Sequence, residues 1–173
     1  MSKAVLISIR PKWVEKIDNG EKTIEVRKTK PKLETPFKCY IYCTLPKYPH
    51  EDFVATDYPM PQFYGGGKVI GEFTCDRIYE LAPLNHAPDD VEKQACLTRE
   101  EIVNYLKGTG YGWHVTGLRI YDVPRELSEF RRACKNSWYC ESCAMYRENN
   151  GTCGNESLQI RRPPQSWCYV EEG

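Results

Sequence analysis

The sequence lacks a net charge, an apolar run of membrane length, and any spacing of histidine against a nucleophile that would mark a catalytic dyad. Its 24 Lys+Arg balance 24 Asp+Glu, so the chain as a whole offers no excess charge to a polyanion. No segment approaches the roughly 20 apolar residues that cross a bilayer, and no membrane partner is expected. The start, Met1 to Arg10, holds only a short apolar run. It lacks the long apolar stretch and small-residue cleavage site of a secretory leader, so a cytoplasmic location is the expectation. His50, His86 and His114 are scattered, and none pairs with a Ser or Cys by spacing. No internal repeat is visible. A length of 173 residues suits one domain, and 40% hydrophobic with 28% charged residues fits an ordinary globule.

The neutral total hides an uneven distribution. Residues 1–50 hold 11 Lys+Arg against 5 Asp+Glu, and residues 51–173 hold 13 against 19. The basic third is densest at Arg27-Lys28-Thr29-Lys30-Pro31-Lys32. A solvated loop explains such a run, and so does a phosphate-binding edge. Cysteine is plentiful, with 9 residues. Cys39, Cys43, Cys75 and Cys168 fall in apolar, strand-like segments and read as small core hydrophobes.

The pattern is dominated by short strands. Ala4 to Ile9 is a strand. Pro11 opens a helix with the apolar stripe Trp13, Val14 and Ile17, and Asn19-Gly20 closes it. Thr23 to Arg27, Phe37 to Thr44 and Lys68 to Tyr79 are strands, the last bending at Gly71. Residues 45–66 form a long Pro-rich loop ending in Gly65-Gly66-Gly67. Thr98-Arg99-Glu100-Glu101 is a capping box before a second helix that Gly108 ends. Trp113 to Tyr121 is a strand stopped by Pro124, and Gln165 to Glu171 is the last strand. About six strands with two or more helices predict an α+β, mainly β chain, a small closed barrel within one domain spanning 1–173.

The segment Gly20-Glu21-Lys22-Thr23-Ile24-Glu25-Val26-Arg27 reads Gly-x-Lys-x-x-Glu-x-Arg. It follows a Trp-bearing helix and opens a strand. The flanking segments Val5 to Trp13, Val69-Ile70-Gly71-Glu72-Phe73, and Trp113 to Tyr121 with Pro124 and Leu127 complete a set that resembles the ASCH (activating signal cointegrator homology) family. The resemblance covers roughly residues 3–130 and 158–172. It implies a PUA-like β-barrel that binds RNA or modified nucleosides. Some small relatives are amidohydrolases of N(4)-acetylcytidine, with a Thr nucleophile three residues after the Lys and an assisting Glu on the central strand. Here Glu25 occupies the Thr position, and Glu72 matches the assisting carboxylate. The resemblance therefore leaves a hydrolase or ribonuclease with Lys22, Glu25 and Glu72 as the alternative to a binding protein.

The residues themselves carry a similar reading. On a strand, Thr23, Glu25 and Arg27 share one face and Ile24 and Val26 the other. With the apolar pair toward the core, Glu25 and Arg27 are expected on an open face beside Lys22. A carboxylate between two cations holds them in place, and the Arg is then free to meet a phosphate or carbonyl. A surface salt-bridge ladder is the plain alternative. Lys28, Lys30 and Lys68 extend the expected RNA-binding set, and the Gly65-Gly66-Gly67-Lys68 turn could present amides to a phosphate. Trp13, Trp113, Trp167 and several Tyr could stack on a base.

Cys134, Cys140, Cys143 and Cys153 form C-x5-C-x2-C-x9-C inside a polar, turn-rich insertion, residues 131–157. Two residues between thiolates let both reach one tetrahedral ion, and four thiolates would close a structural zinc site. Two disulfides, a redox C-x-x-C and free thiols are the other readings. The insertion also suits a protein-partner surface. Cys96 is spare.

Overall fold

The structure is a computed structural model and describes residues 3–45, 66–82, 84–134, 137–151 and 153–173. Six strands, β1 (Lys3–Ile9), β2 (Ile24–Arg27), β3 (Phe37–Cys43), β4 (Val69–Glu80), β5 (Tyr111–Arg125) and β6 (Trp167–Glu171), form one mixed sheet. Their order is β2-β5-β4-β3-β1-β6. Only β1 and β3 run parallel; they are joined through helix α1 (Pro11–Asp18) and β2. The other described helices are α2 (Val91–Ala95), α3 (Arg99–Leu106) and α4 (Ala144–Glu148).

The expected local signals act as read. Pro11 lies in the first turn of α1, and Gly20 follows it at φ 79°, which a β-carbon disfavours. Thr98 caps α3 in a full capping box: its hydroxyl accepts from Glu101 N at 3.2 Å while Glu101 accepts from Thr98 N at 2.7 Å. Gly71 sits where β4 shifts register against β5. A β-carbon there would lie 2.5 Å from the Arg119 carbonyl oxygen, so the close approach needs glycine.

Two corrections follow. β5 continues through Pro124 to Arg125; β2 pairs only with the start of this long strand, Tyr111 to His114. The barrel is a half-barrel: the sheet runs from the β2 edge to the β6 edge, and no backbone ladder joins those edges among the described residues. The Pro-rich segment 46–65, with Gly65 of the predicted amide turn, lies outside the described residues.

The core has three parts. Val5, Ile7 and Ile9 of β1, Cys39, Ile41 and Cys43 of β3, Phe73, Cys75 and Trp113 fill the concave side. Ala4, Leu6, Tyr40, Val69 and Val170 on the convex side are covered by Phe130 and Ile160. Ile24 and Val26 pack under α2 and α3 through Val91, Ala95, Ile102 and Leu106. Cys39, Cys43 and Cys75 are buried as expected, whereas Cys168 is half-buried. Burial pushes the Cys43 thiol up to about 11 and the Cys75 thiol up to about 12.

Candidate functional site: a buried Lys–Glu–Arg array

The alternation of β2 is as predicted, but its second face is not open. Helices α2 and α3 cover Ile24 and Val26, while the curl of the sheet encloses the opposite face. Glu25 stands opposite Trp113 of β5, which is wholly buried. The side chains of Lys22, Glu25 and Arg27 are therefore only 2%, 7% and 9% exposed. Sequence alternation gives the two faces of a strand; it does not say that both are covered.

Within this pocket of charge, Glu25 bridges the two cations. Its carboxylate lies 3.5 Å from Lys22 Nζ and 2.9 Å from an Arg27 nitrogen. Lys22 Nζ also donates to the Ala95 carbonyl at 2.6 Å and sits 4.8 Å from the Trp13 ring centroid. Burial lowers the Lys22 pKa, opposed by the nearby Glu25 charge. Arg27 donates from Nη2 to the Ser8 carbonyl at 2.6 Å and from Nη1 to Ser166 Oγ at 3.3 Å. Its buried Nε has no hydrogen-bond partner among the described residues.

These contacts close the half-barrel. Arg27 starts on one edge of the sheet and reaches Ser8 of β1 and Ser166, which precedes β6 on the other edge. Two further bonds follow the same seam: Trp167 Nε1 donates to Thr29 Oγ1 at 3.0 Å, and Lys32 N donates to Tyr169 Oη at 2.6 Å. The seam between β2 and β6 is thus held through side chains. Ser8, Ser166 and the Ala95 carbonyl are not among the residues expected from sequence. Ser8 had a visible signal, a hydroxyl inside the apolar run Val5-Leu6-Ile7-Ser8-Ile9; the Ala95 carbonyl had none.

The other predicted residues lie apart from this array. Glu72 is on β4, opposite Tyr40 and Arg119, and accepts from Tyr121 Oη at 2.6 Å, with Lys38 at 4.0 Å. It has no contact with Lys22 or Glu25 among the described residues, so the structure does not bring the two carboxylates together. Lys28 stacks over the Tyr105 ring. Lys30 pairs with Glu80 at 3.7 Å and lies over Tyr111. Lys68 pairs with Glu126. The predicted basic rim is largely engaged with its own surface. His114 instead forms a pair the spacing did not reveal: its Nδ1 lies 2.6 Å from Asp76 Oδ1, and this bond lowers the Asp76 pKa.

The Cys-rich segment is anchored where Arg131 bridges to Gln159. From Cys140 to Gly151 no residue is buried. Cys140 and Cys143 share a turn, with Cys143 N donating to the Cys140 carbonyl at 3.0 Å. Desolvation raises the Cys140 pKa, and the Cys134, Cys153 and Cys143 sulfurs add to it. All nine thiols are free. Among the described residues no three His, Cys, Asp or Glu side chains are arranged to hold a metal ion.

No family model and no curated protein matches the chain by sequence. Solved structures do match by fold. A crystal structure of the ASCH protein from Zymomonas mobilis superposes with a TM-score of 0.50 at 16% identity, covering 98% of this chain and 88% of that one. Two single-substitution variants of that protein give TM-scores of 0.57 and 0.51, each at 15% identity. They cover 98% and 99% of this chain, and 89% and 92% of theirs. The half-barrel with its buried Lys–Glu–Arg array is thus built on an ASCH-like fold.

Proposed function

We propose that this protein binds RNA or a modified nucleoside at the seam between β2 and β6, with Arg27 as the recognising cation. One observation carries the reading. Two basic side chains and one acidic one are buried together, and the Arg27 Nε has no acceptor among the described residues. Burying ions rarely stabilises a fold better than apolar residues of the same size. An unsatisfied buried N–H costs about 1–3 kcal/mol. Both costs fall when a carbonyl or phosphate oxygen meets Arg27. The seam is the route, because side-chain bonds alone hold it. Trp167, beside it, offers a ring that can stack on a base.

The test is equilibrium binding of ribonucleosides, N(4)-acetylcytidine among them, and of a short single-stranded RNA. Arg27→Lys keeps a charge but loses the fork. It is expected to weaken nucleoside binding roughly 10- to 100-fold, the worth of a charge-assisted hydrogen bond of about 1.5–3 kcal/mol. RNA affinity should fall steeply with salt. Affinity indifferent to both changes would refute the reading.

A second reading, hydrolysis of a nucleoside amide, is favoured by one feature: burial lowers the Lys22 pKa, and the Glu25 carboxylate lies 3.5 Å from its Nζ. Turnover of N(4)-acetylcytidine that Glu25→Gln abolishes would establish it.

The Cys-rich segment belongs to the same reading as a zinc-stapled insertion. It buries no residue from Cys140 to Gly151, so it has no core to hold it. Zinc binding would draw Cys134, Cys140, Cys143 and Cys153 together and supply the missing folding energy. Metal analysis of the reduced chain should give one equivalent of zinc, lost when Cys140 and Cys143 become Ser. Less than one equivalent would dismiss it.

A further inference from the structure

We propose a second anion site at the root of the Cys-rich segment: a hollow formed by Arg132, Arg161 and Arg162 that takes the phosphodiester backbone of single-stranded RNA. The identity of the ligand rests on the function proposed above; the site itself is separate from the buried array.

The hollow has a volume of about 550 Å³ and is lined by the three arginines with Glu156, Ser157 and Gln159. Its frame is firmly pinned. Arg132 N donates to the Leu158 carbonyl at 2.7 Å, and Ile160 N to the Phe130 carbonyl at 3.0 Å. Arg131, one residue before, bridges to Gln159, and its Nη2 donates to the Asn155 carbonyl at 2.6 Å. The arginines therefore rise from two short segments locked antiparallel to each other. The neutral polar neighbours are already engaged: Gln159 Nε2 donates to the Ser128 carbonyl at 2.9 Å, and Ser157 Oγ donates to Asn155 Oδ1 at 2.6 Å. The guanidinium groups are left to meet a ligand.

Three cations face one carboxylate, Glu156, in the lining, so the hollow keeps an excess of positive charge. Many exposed cations of this chain face a carboxylate, as in Lys16–Glu21, Arg99–Glu92 and Arg125–Glu129. Arg132, Arg161 and Arg162 form no ion pair among the described residues. Three like charges around one hollow repel, and an anion placed between them relieves that repulsion. Planar guanidiniums suit the paired oxygens of a phosphate.

Continuity with the seam selects RNA among anions. The segment that carries Arg161 and Arg162 runs on to Ser166, which bonds Arg27. Along it the Pro164 carbonyl accepts from Ser8 Oγ at 2.6 Å, which ties the segment to β1. Four residues after Arg162, the chain thus arrives at the proposed nucleoside site. A strand whose base enters the seam would have its neighbouring phosphates directed along this segment into the hollow.

The experiment compares a short single-stranded RNA with a free ribonucleoside, for wild type, Arg161→Ala/Arg162→Ala and Arg161→Lys/Arg162→Lys. All four substitutions are on exposed side chains, and circular dichroism checks that each variant is folded. For RNA, the alanine pair should lower affinity at least 10-fold at low salt. It should also flatten the plot of log affinity against log salt by about 1.4, two contacts at roughly 0.7 each. The lysine pair should restore the slope. Nucleoside affinity should not move. An RNA slope unchanged by the alanine pair, or no RNA binding by wild type, overturns the hollow. Loss of nucleoside binding in wild type, with the RNA slope still set by the arginines, would instead sink the seam reading and leave the hollow standing.

Discussion

Replacing Glu25 by Leu is expected to destabilise the protein by about 3–5 kcal/mol, the cost of leaving buried charges without their partner. Glu25 is the only carboxylate that pairs with Lys22 or Arg27 among the described residues. Without it, two cations remain in a region closed by α2, Trp13 and the sheet. For a chain of this length the loss corresponds to a melting point lower by roughly 6–20 °C. The companion variant is the triple change Lys22→Met, Glu25→Leu and Arg27→Met. Removing all three ions together should return stability to within about 1 kcal/mol of wild type, or above it. It should also abolish ligand binding at the seam. This contrast separates a structural brace from a site. If the triple variant were as unstable as the single one, the array would be a brace whose hydrogen bonds to Ala95, Ser8 and Ser166 matter more than any ligand.

Trp113→Ala should cost a similar amount, about 3–5 kcal/mol. Trp113 is wholly buried at the centre of the concave core. It packs edge-on against Phe37 at 5.9 Å between centroids and lies at the same distance from Trp167. It is also the register partner of Glu25, so the cavity would open beside the charged array. Trp113→Phe should cost much less, since it keeps most of the buried area and removes an indole N–H that has no hydrogen-bond partner among the described residues. Chemical denaturation of both variants checks this. A loss below about 1 kcal/mol for Trp113→Ala would mean that the half-barrel collapses around the gap.

Much of this molecule is written locally. Pro11, Asn19-Gly20 and the Thr98–Glu101 box act through neighbours a few residues away, so their meaning needs no tertiary context. The Gly-x-Lys-x-x-Glu-x-Arg segment was likewise legible, and the three side chains it singles out do meet one another. What the segment could not reveal is its solvent. Ile24 and Val26 announced a buried face; nothing in the strand announced that the curl of the sheet would bury Glu25 and Arg27 as well. Glu72 shows the same limit from the other side. The family resemblance implied a role for it beside Glu25, but register set it opposite Arg119 and near Tyr121, away from the array.

Sequence by itself determined the strand and helix content, the glycine and proline punctuation, the pairing of Glu25 with two cations, and the segregation of four cysteines into one polar segment. These depend on period, caps and spacing, which are short-range properties of the chain. Only the tertiary structure decided that the sheet stays open between β2 and β6, and that Arg27 spans that gap to Ser8 and Ser166. It alone set Lys30 and Lys68 against carboxylates and Lys28 over the Tyr105 ring, and gathered Arg132, Arg161 and Arg162 around one hollow. Those outcomes depend on which distant segments meet. A charge 139 residues away in sequence from its partner, as Arg27 is from Ser166, leaves no periodic trace between them.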